Sequence, residues 1–157
     1  MRIIGNKSVN MKILVITGIL ACSMLSFAAD PPLSISWKQL SDVRFSRKFN
    51  KELGMHFLYP NFGQTVRQLE GRQIRIRGYM IPVDPESNIY VISAQPMSMC
   101  FFCGGAGPES IVELQFRDKK QLFKTDAVKT VNGKLKLNSQ DVEHLNYILE
   151  DASIAEK

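Results

Sequence analysis

The sequence predicts a mainly β protein: a small OB-like antiparallel barrel of about five strands with a C-terminal α-helix. Three observations predict it. Residues 72–83, RQIRIRGYMIPV, alternate as a half-buried strand, with Ile74 and Ile76 facing one way and Gln73, Arg75 and Arg77 the other. Further β-prone runs at 89–95, 110–117 and 121–137 are separated by turn-forming residues, without the strand–helix–strand alternation of a parallel sheet. The last segment, NSQDVEHLNYILEDA, places Val142, Leu145, Ile148 and Leu149 at helical spacing behind a cap at Asn138 or Ser139.

The chain has 157 residues, 45% apolar and 22% charged, enough to bury one core and too apolar for a disordered chain. Residues 13–27, ILVITGILACSMLSF, form an apolar run behind Arg2, Lys7 and Lys12. Ser26 and Ala28 supply the small residues of a cleavage site, so residues 1–28 are read as an export signal cut after Ala28, with Met11 an alternative start. Lipid attachment at Cys22 is the alternative, weakened by the apolar SMLSF that follows. The run falls short of the roughly 18–20 residues of a membrane span, so none is expected in the mature chain. The expected location is periplasmic or secreted.

Removing residues 1–28 takes three cations and no acid, leaving 17 Lys/Arg against 15 Asp/Glu. A nearly balanced domain is a poor candidate for nucleic-acid binding, which needs many clustered cations. Residues 29–36 read as a lead-in, and 37–157 as a single OB-like domain. Within it, 37–63 fits no single period and is expected as short helical or extended pieces on the surface. Its basic group Arg44, Arg47, Lys48 and Lys51 reads as a solvated face. Residues 64–71 read as one helical turn closing on Gly71. Gly78 marks a bulge or barrel bend, 84–88 a turn, and Asn132-Gly133 a hairpin.

One segment carries chemistry: Met97-Ser98-Met99-Cys100-Phe101-Phe102-Cys103-Gly104-Gly105. Two cysteines spaced C-x-x-C can converge on one point, and two thioethers lie just upstream. That soft donor set favours zinc or Cu(I), with Cys100 and Cys103 as ligands, Met97 and Met99 auxiliary, and Gly104 and Gly105 offering amides to the thiolates. Zinc needs two more ligands. His56 and His144 are the only histidines, so the site would be completed by histidine, by methionine or across a homodimer.

The other reading is a Cys100–Cys103 disulfide, structural or regulatory, in an oxidising compartment. The residues leave both open. A cycling thiol–disulfide centre is weaker, because Gly104–Pro108 would end the helix that lowers a thiolate pKa. Phe101 and Phe102 are candidate anchors for a protein partner in the cell envelope. Glu109 reads as a turn residue, and Glu150 and Asp151 as a solvated helix end. No nucleophile elbow and no phosphate or dinucleotide loop is present. The expected role is therefore non-enzymatic: binding a soft metal or a partner through this loop, with a redox protein or a disulfide-stapled module as alternatives.

Leu69, Gly71, Ile74, Ile76, Gly78 and Pro82, followed by Cys100 or Cys103 and then Val131, Gly133 and Leu135, resemble the pattern of a bacterial exported family, domain of unknown function 3299. The resemblance spans most of residues 37–150. It implies a small OB-like barrel outside the cytoplasm and a suspicion of metal handling, but no activity. The chain departs from the family at CFFCGGAGP, where many relatives carry one cysteine followed by histidine and a proline run.

Overall fold

The computed structural model describes residues 30–118 and 122–155. The expected export signal, its cut after Ala28 and the alternative lipid site at Cys22 lie outside them. Among the described residues eight strands are formed: β1 Leu33–Ser34, β2 Val43–Asn50, β3 Met55–Phe62, β4 Gln73–Asp84, β5 Ile89–Ser93, β6 Ile111–Phe116, β7 Ala127–Leu137 and β8 Tyr147–Ile154. Single helical turns occupy Trp37–Leu40 and Gln64–Arg67.

Five strands close on themselves in the order β4-β5-β6-β8-β7-β4, so the expected small OB-like barrel is present. It departs from an all-antiparallel barrel in one place, since β6 and β8 run parallel. β4 begins it as the sequence implies. Ile74, Ile76 and Met80 are buried while Gln73 and Arg77 are exposed. Gly78 lies where β4 stops pairing with β1 and starts pairing with β5. The strand is unbroken there, and the bulge falls later, between Pro82 and Asp84. Closure removes every barrel edge, and the enclosed core includes Tyr90, Ile92, Leu114, Val131, Leu135 and Leu149. Each such aliphatic side chain contributes roughly 1.5–3 kcal/mol by leaving water.

Two expectations fail for physical reasons. The C-terminal α-helix does not form: residues 138–146 make an irregular loop and 147–154 the closing strand β8. Tyr147, Ile148 and Leu149 are consecutively buried, a pattern that suits a strand between two neighbours rather than one helix face. As β8 this segment gains a ladder on both sides, with β6 and with β7. Glu150 and Asp151 are therefore not a helix end. The β6 and β7 registers both jump at this point, and Asp151 takes φ +51°.

Asn132-Gly133 is not a turn either, because β7 continues through it, with its register to β8 shifting there. Asn132 accepts a 2.8 Å bond from Arg75 Nε. Gly133 stands where a Cβ would lie 3.0 Å from the Glu150 carbonyl oxygen and 3.1 Å from Leu149 Cβ. The glycine serves close strand approach, not positive φ.

Residues 37–63 become a helical turn followed by the hairpin β2–β3, a two-stranded sheet outside the barrel. Its base is fixed. Phe62 joins the core edge-on to Tyr147, and Asp42 accepts the Thr65 N–H at 2.9 Å. Within the lead-in, β1 pairs with β4.

Tyr147 couples this region to pH. Its hydroxyl donates to the Leu40 carbonyl at 2.7 Å. Burial, then the charges of Glu109 and Asp42, raise its pKa above the ordinary phenol value. The fold thus favours the neutral form. This contribution is whole below pH of about 10, where the unfolded phenol titrates, and is lost as pH climbs beyond it. Tyr147→Phe should cost about 1 kcal/mol at pH 7 and shrink the loss of stability between pH 9 and 11, read from urea midpoints.

Candidate functional site

The cysteine-bearing segment is a closed loop. Ala94 N–H donates to the Ser110 carbonyl at 2.9 Å, tying the end of β5 to the start of β6. Between them run three short 3-10 turns: Met97–Met99, Phe101–Cys103 and Pro108–Ser110. Asp126 pins the first, accepting the Met97 N–H at 2.7 Å. Sequence reasoning missed Asp126, whose one visible signal was its place before a strand.

Cys100 is an extended residue between two of these turns. It is fully buried, packed with Ile81, Val91 and Leu145 in a small core separate from the barrel interior. Cys103 is exposed, as are Met97 and Met99, and both thiols are free. Gly104 at φ +75° ends the second turn. The amides of Gly104 and Gly105 donate to the Phe101 and Cys100 carbonyls at 3.0 and 3.2 Å, so they are not aimed at sulfur as expected. Among the described residues, no three His, Cys, Asp or Glu side chains converge as a metal site. His56 stacks edge-on against Phe49 at 5.2 Å. Glu109 lies half-buried in the turn before β6.

The facing wall is the 138–146 loop, organised by Asn138. Its Nδ2 donates to the carbonyls of Asp141, His144 and Leu145 at 2.6, 3.2 and 3.2 Å, and its Oδ1 accepts from the amides of Gln140 and Asp141. The residue read as a helix cap instead folds a loop around its side chain. Glu113 on β6 fastens this loop to the barrel. Its carboxylate meets His144 Nδ1 at 2.9 and 3.1 Å and accepts the Leu145 N–H at 3.1 Å. Glu113 also escaped the sequence reading, since one acid in IVELQF looks like an outward strand residue.

Between the 85–88 and 138–146 loops lies a cleft of about 540 Å³. Val91 and Leu114 belong to its floor, Ser87 and Asn88 to one rim, Val142–Leu145 to the other, and Phe102 overhangs it. The Ser87 rim is stiffened by Asp84, whose carboxylate accepts the Glu86 and Ser87 amides at 3.2 Å. The Ser87 hydroxyl and those amides hold the Asp84 pKa below the usual carboxylate value. A second hollow of about 260 Å³ lies between Phe101, the β3 residues His56–Pro60 and the other side of the same loop. His144 borders both.

No family model matches the sequence, and no curated protein matches it significantly. Structure comparison does find a similar fold. The crystal structure of a DUF3299 family protein from Pseudomonas aeruginosa PAO1 matches with TM-score 0.51 over 82% of this chain and 99% of that chain, at 13% identity. The fold is that of a DUF3299 protein. The resemblance read from Leu69–Pro82 onward is met at the level of architecture. At this identity the DUF3299 likeness extends to the barrel and leaves the roles of the loop side chains to this chain's own geometry. Among the described residues, no helix is long and apolar enough to cross a membrane.

Proposed function

We propose that this chain is an exported, non-enzymatic binding module that holds a partner segment in the cleft over β5 and β6. The partner presents an apolar side chain beside a positive charge. The observation that carries the reading is where the cleft lies. In five-stranded barrels of this connectivity, ligands bind over the second and third strands, between the first and the last inter-strand loops. Those elements here are β5, β6 and loops 85–88 and 138–146, and all four line the cleft. The lining is largely apolar and, among the described residues, includes the carboxylates of Glu113 and Glu143 and no Lys or Arg. Phe102 of the cysteine loop overhangs it as the expected anchor. This reading is favoured over soft-metal capture because Cys100 is committed to packing with Ile81, Val91 and Leu145.

The test is a titration of the isotope-labelled protein with tryptamine and, separately, with indole-3-acetate, followed by amide chemical shifts. The amine should bind at an affinity on the order of millimolar, moving the signals of Ile89, Gln115 and Val142. Glu143→Gln should weaken it by less than about fivefold, as for an exposed charge pair, and Phe102→Ser should weaken both compounds. Equal responses to amine and acid, or shifts confined to another face, would sink the reading.

A further inference from the structure

The β2–β3 hairpin stands outside the barrel and is apolar where it has least reason to be. Phe49, Leu53, Met55 and Leu58 are each 46–54% exposed. The register puts Phe49 and Leu58 on one face, with Arg47 opposite Leu58. Met55 falls on the other face with Arg44 and Lys48, and Leu53 sits at the apex beside Lys51. From Val43 to Phe62 there are four Lys/Arg and one acid, Glu52.

The apex is preformed. Strand pairing ends at Asn50 opposite Met55, and the Asn50 side chain accepts the amides of Glu52 and Leu53 at 2.9 and 3.1 Å. Gly54 completes the reversal at φ +66°. Presenting Leu53 therefore requires little further ordering on binding.

We propose that this hairpin tip docks on an anionic lipid bilayer surface. Its apolar side chains enter the headgroup boundary while Arg44, Arg47, Lys48 and Lys51 meet lipid phosphates. The distribution selects this occupant. A protein partner buries one face of a ribbon, whereas here apolar and cationic groups alternate on both faces and at the apex, as suits a medium that surrounds the tip. The excess positive charge complements an anionic surface. The base is fixed through Phe62 and through the Asp42–Thr65 bond, and the apex residues 51–54 take no part in the hollow that His56–Pro60 share with Phe101.

The test uses the full chain carrying Phe49→Trp and vesicles of phosphatidylcholine with 30% phosphatidylglycerol, the acyl chains brominated. Trp37, held by its 2.8 Å bond to the Arg77 carbonyl, serves as the reference within the fold. The introduced indole should shift to the blue and be quenched on anionic vesicles only, with binding falling steeply as salt rises. Adding Arg47→Ser and Lys48→Ser should weaken binding about thirtyfold, and adding Leu53→Asp should abolish quenching. Circular dichroism of each variant, unchanged from the parent, certifies the barrel. Because the indole reports on the hairpin, vesicle binding elsewhere in the chain leaves it unquenched, and that result overturns the proposal. Equal quenching on pure phosphatidylcholine overturns it, as does a response to polyglutamate without one to vesicles, which would assign the tip to an acidic protein.

Discussion

Asn138→Ala should release the 138–146 loop and lower stability by about 3 kcal/mol, with loss of tryptamine binding in the cleft. The substitution removes the five bonds that the Asn138 side chain makes within the loop and orphans three carbonyls beneath it. The rim then has no fixed position, although Glu113 still reaches the Leu145 amide. Asn138→Asp should be no milder. It keeps the acceptor toward Gln140 and Asp141 but turns an oxygen onto three carbonyl oxygens, so its defect should shrink as pH falls and the acid protonates. Urea midpoints at pH 7 and pH 4, with the amine titration, check both variants. An Asn138→Ala protein with unchanged stability and binding would remove Asn138 from the centre of the site.

Gly78→Ala should be comparably damaging for a different reason. A Cβ there would drive into the Ser93 carbonyl oxygen and lie 2.9 Å from Ile92 Cγ1 and 3.0 Å from the Trp37 ring. The first obstacle is backbone of a paired strand and cannot swing aside, so β4 and β5 must part at this point. Overpacking of this kind costs about 2–3 kcal/mol, a fall in melting temperature of roughly 10 °C or more for a domain of this size. A calorimetric scan that left the melting temperature within a degree or two of the parent would show that β4 can shift at no cost.

The barrel was readable because its strands announce themselves locally. β4 alternates and β5 and β6 are short β-prone runs, while the bulge expected at Gly78 falls instead between Pro82 and Asp84. The last strand was not readable, because Asn138 and the spacing of Val142, Leu145 and Leu149 satisfy helix rules equally well. What decides for a strand is the need of β6 and β7 for a common neighbour, a requirement absent from any local window. Asn132-Gly133 misled in the same way. Its hairpin chemistry is sound, but the glycine answers to strand β8 nearly twenty residues on. At the site, the loop's importance was legible in its composition, and the division of labour between its cysteines was not. One is a packing residue and the other a surface residue, because an extended residue at Cys100 separates two turns that spacing alone treats as one. Glu113 and Asp126 each look ordinary until the fold brings a distant amide to them.

The place of β8 has a consequence for how the chain can mature. Its residues slot between β6 and β7, running parallel to one and antiparallel to the other. Until Ile154 has emerged from the ribosome, both neighbours hold open hydrogen-bonding edges and the cylinder is a curled ribbon without a seam. Closure is therefore a late, non-local event, of the kind that slows folding.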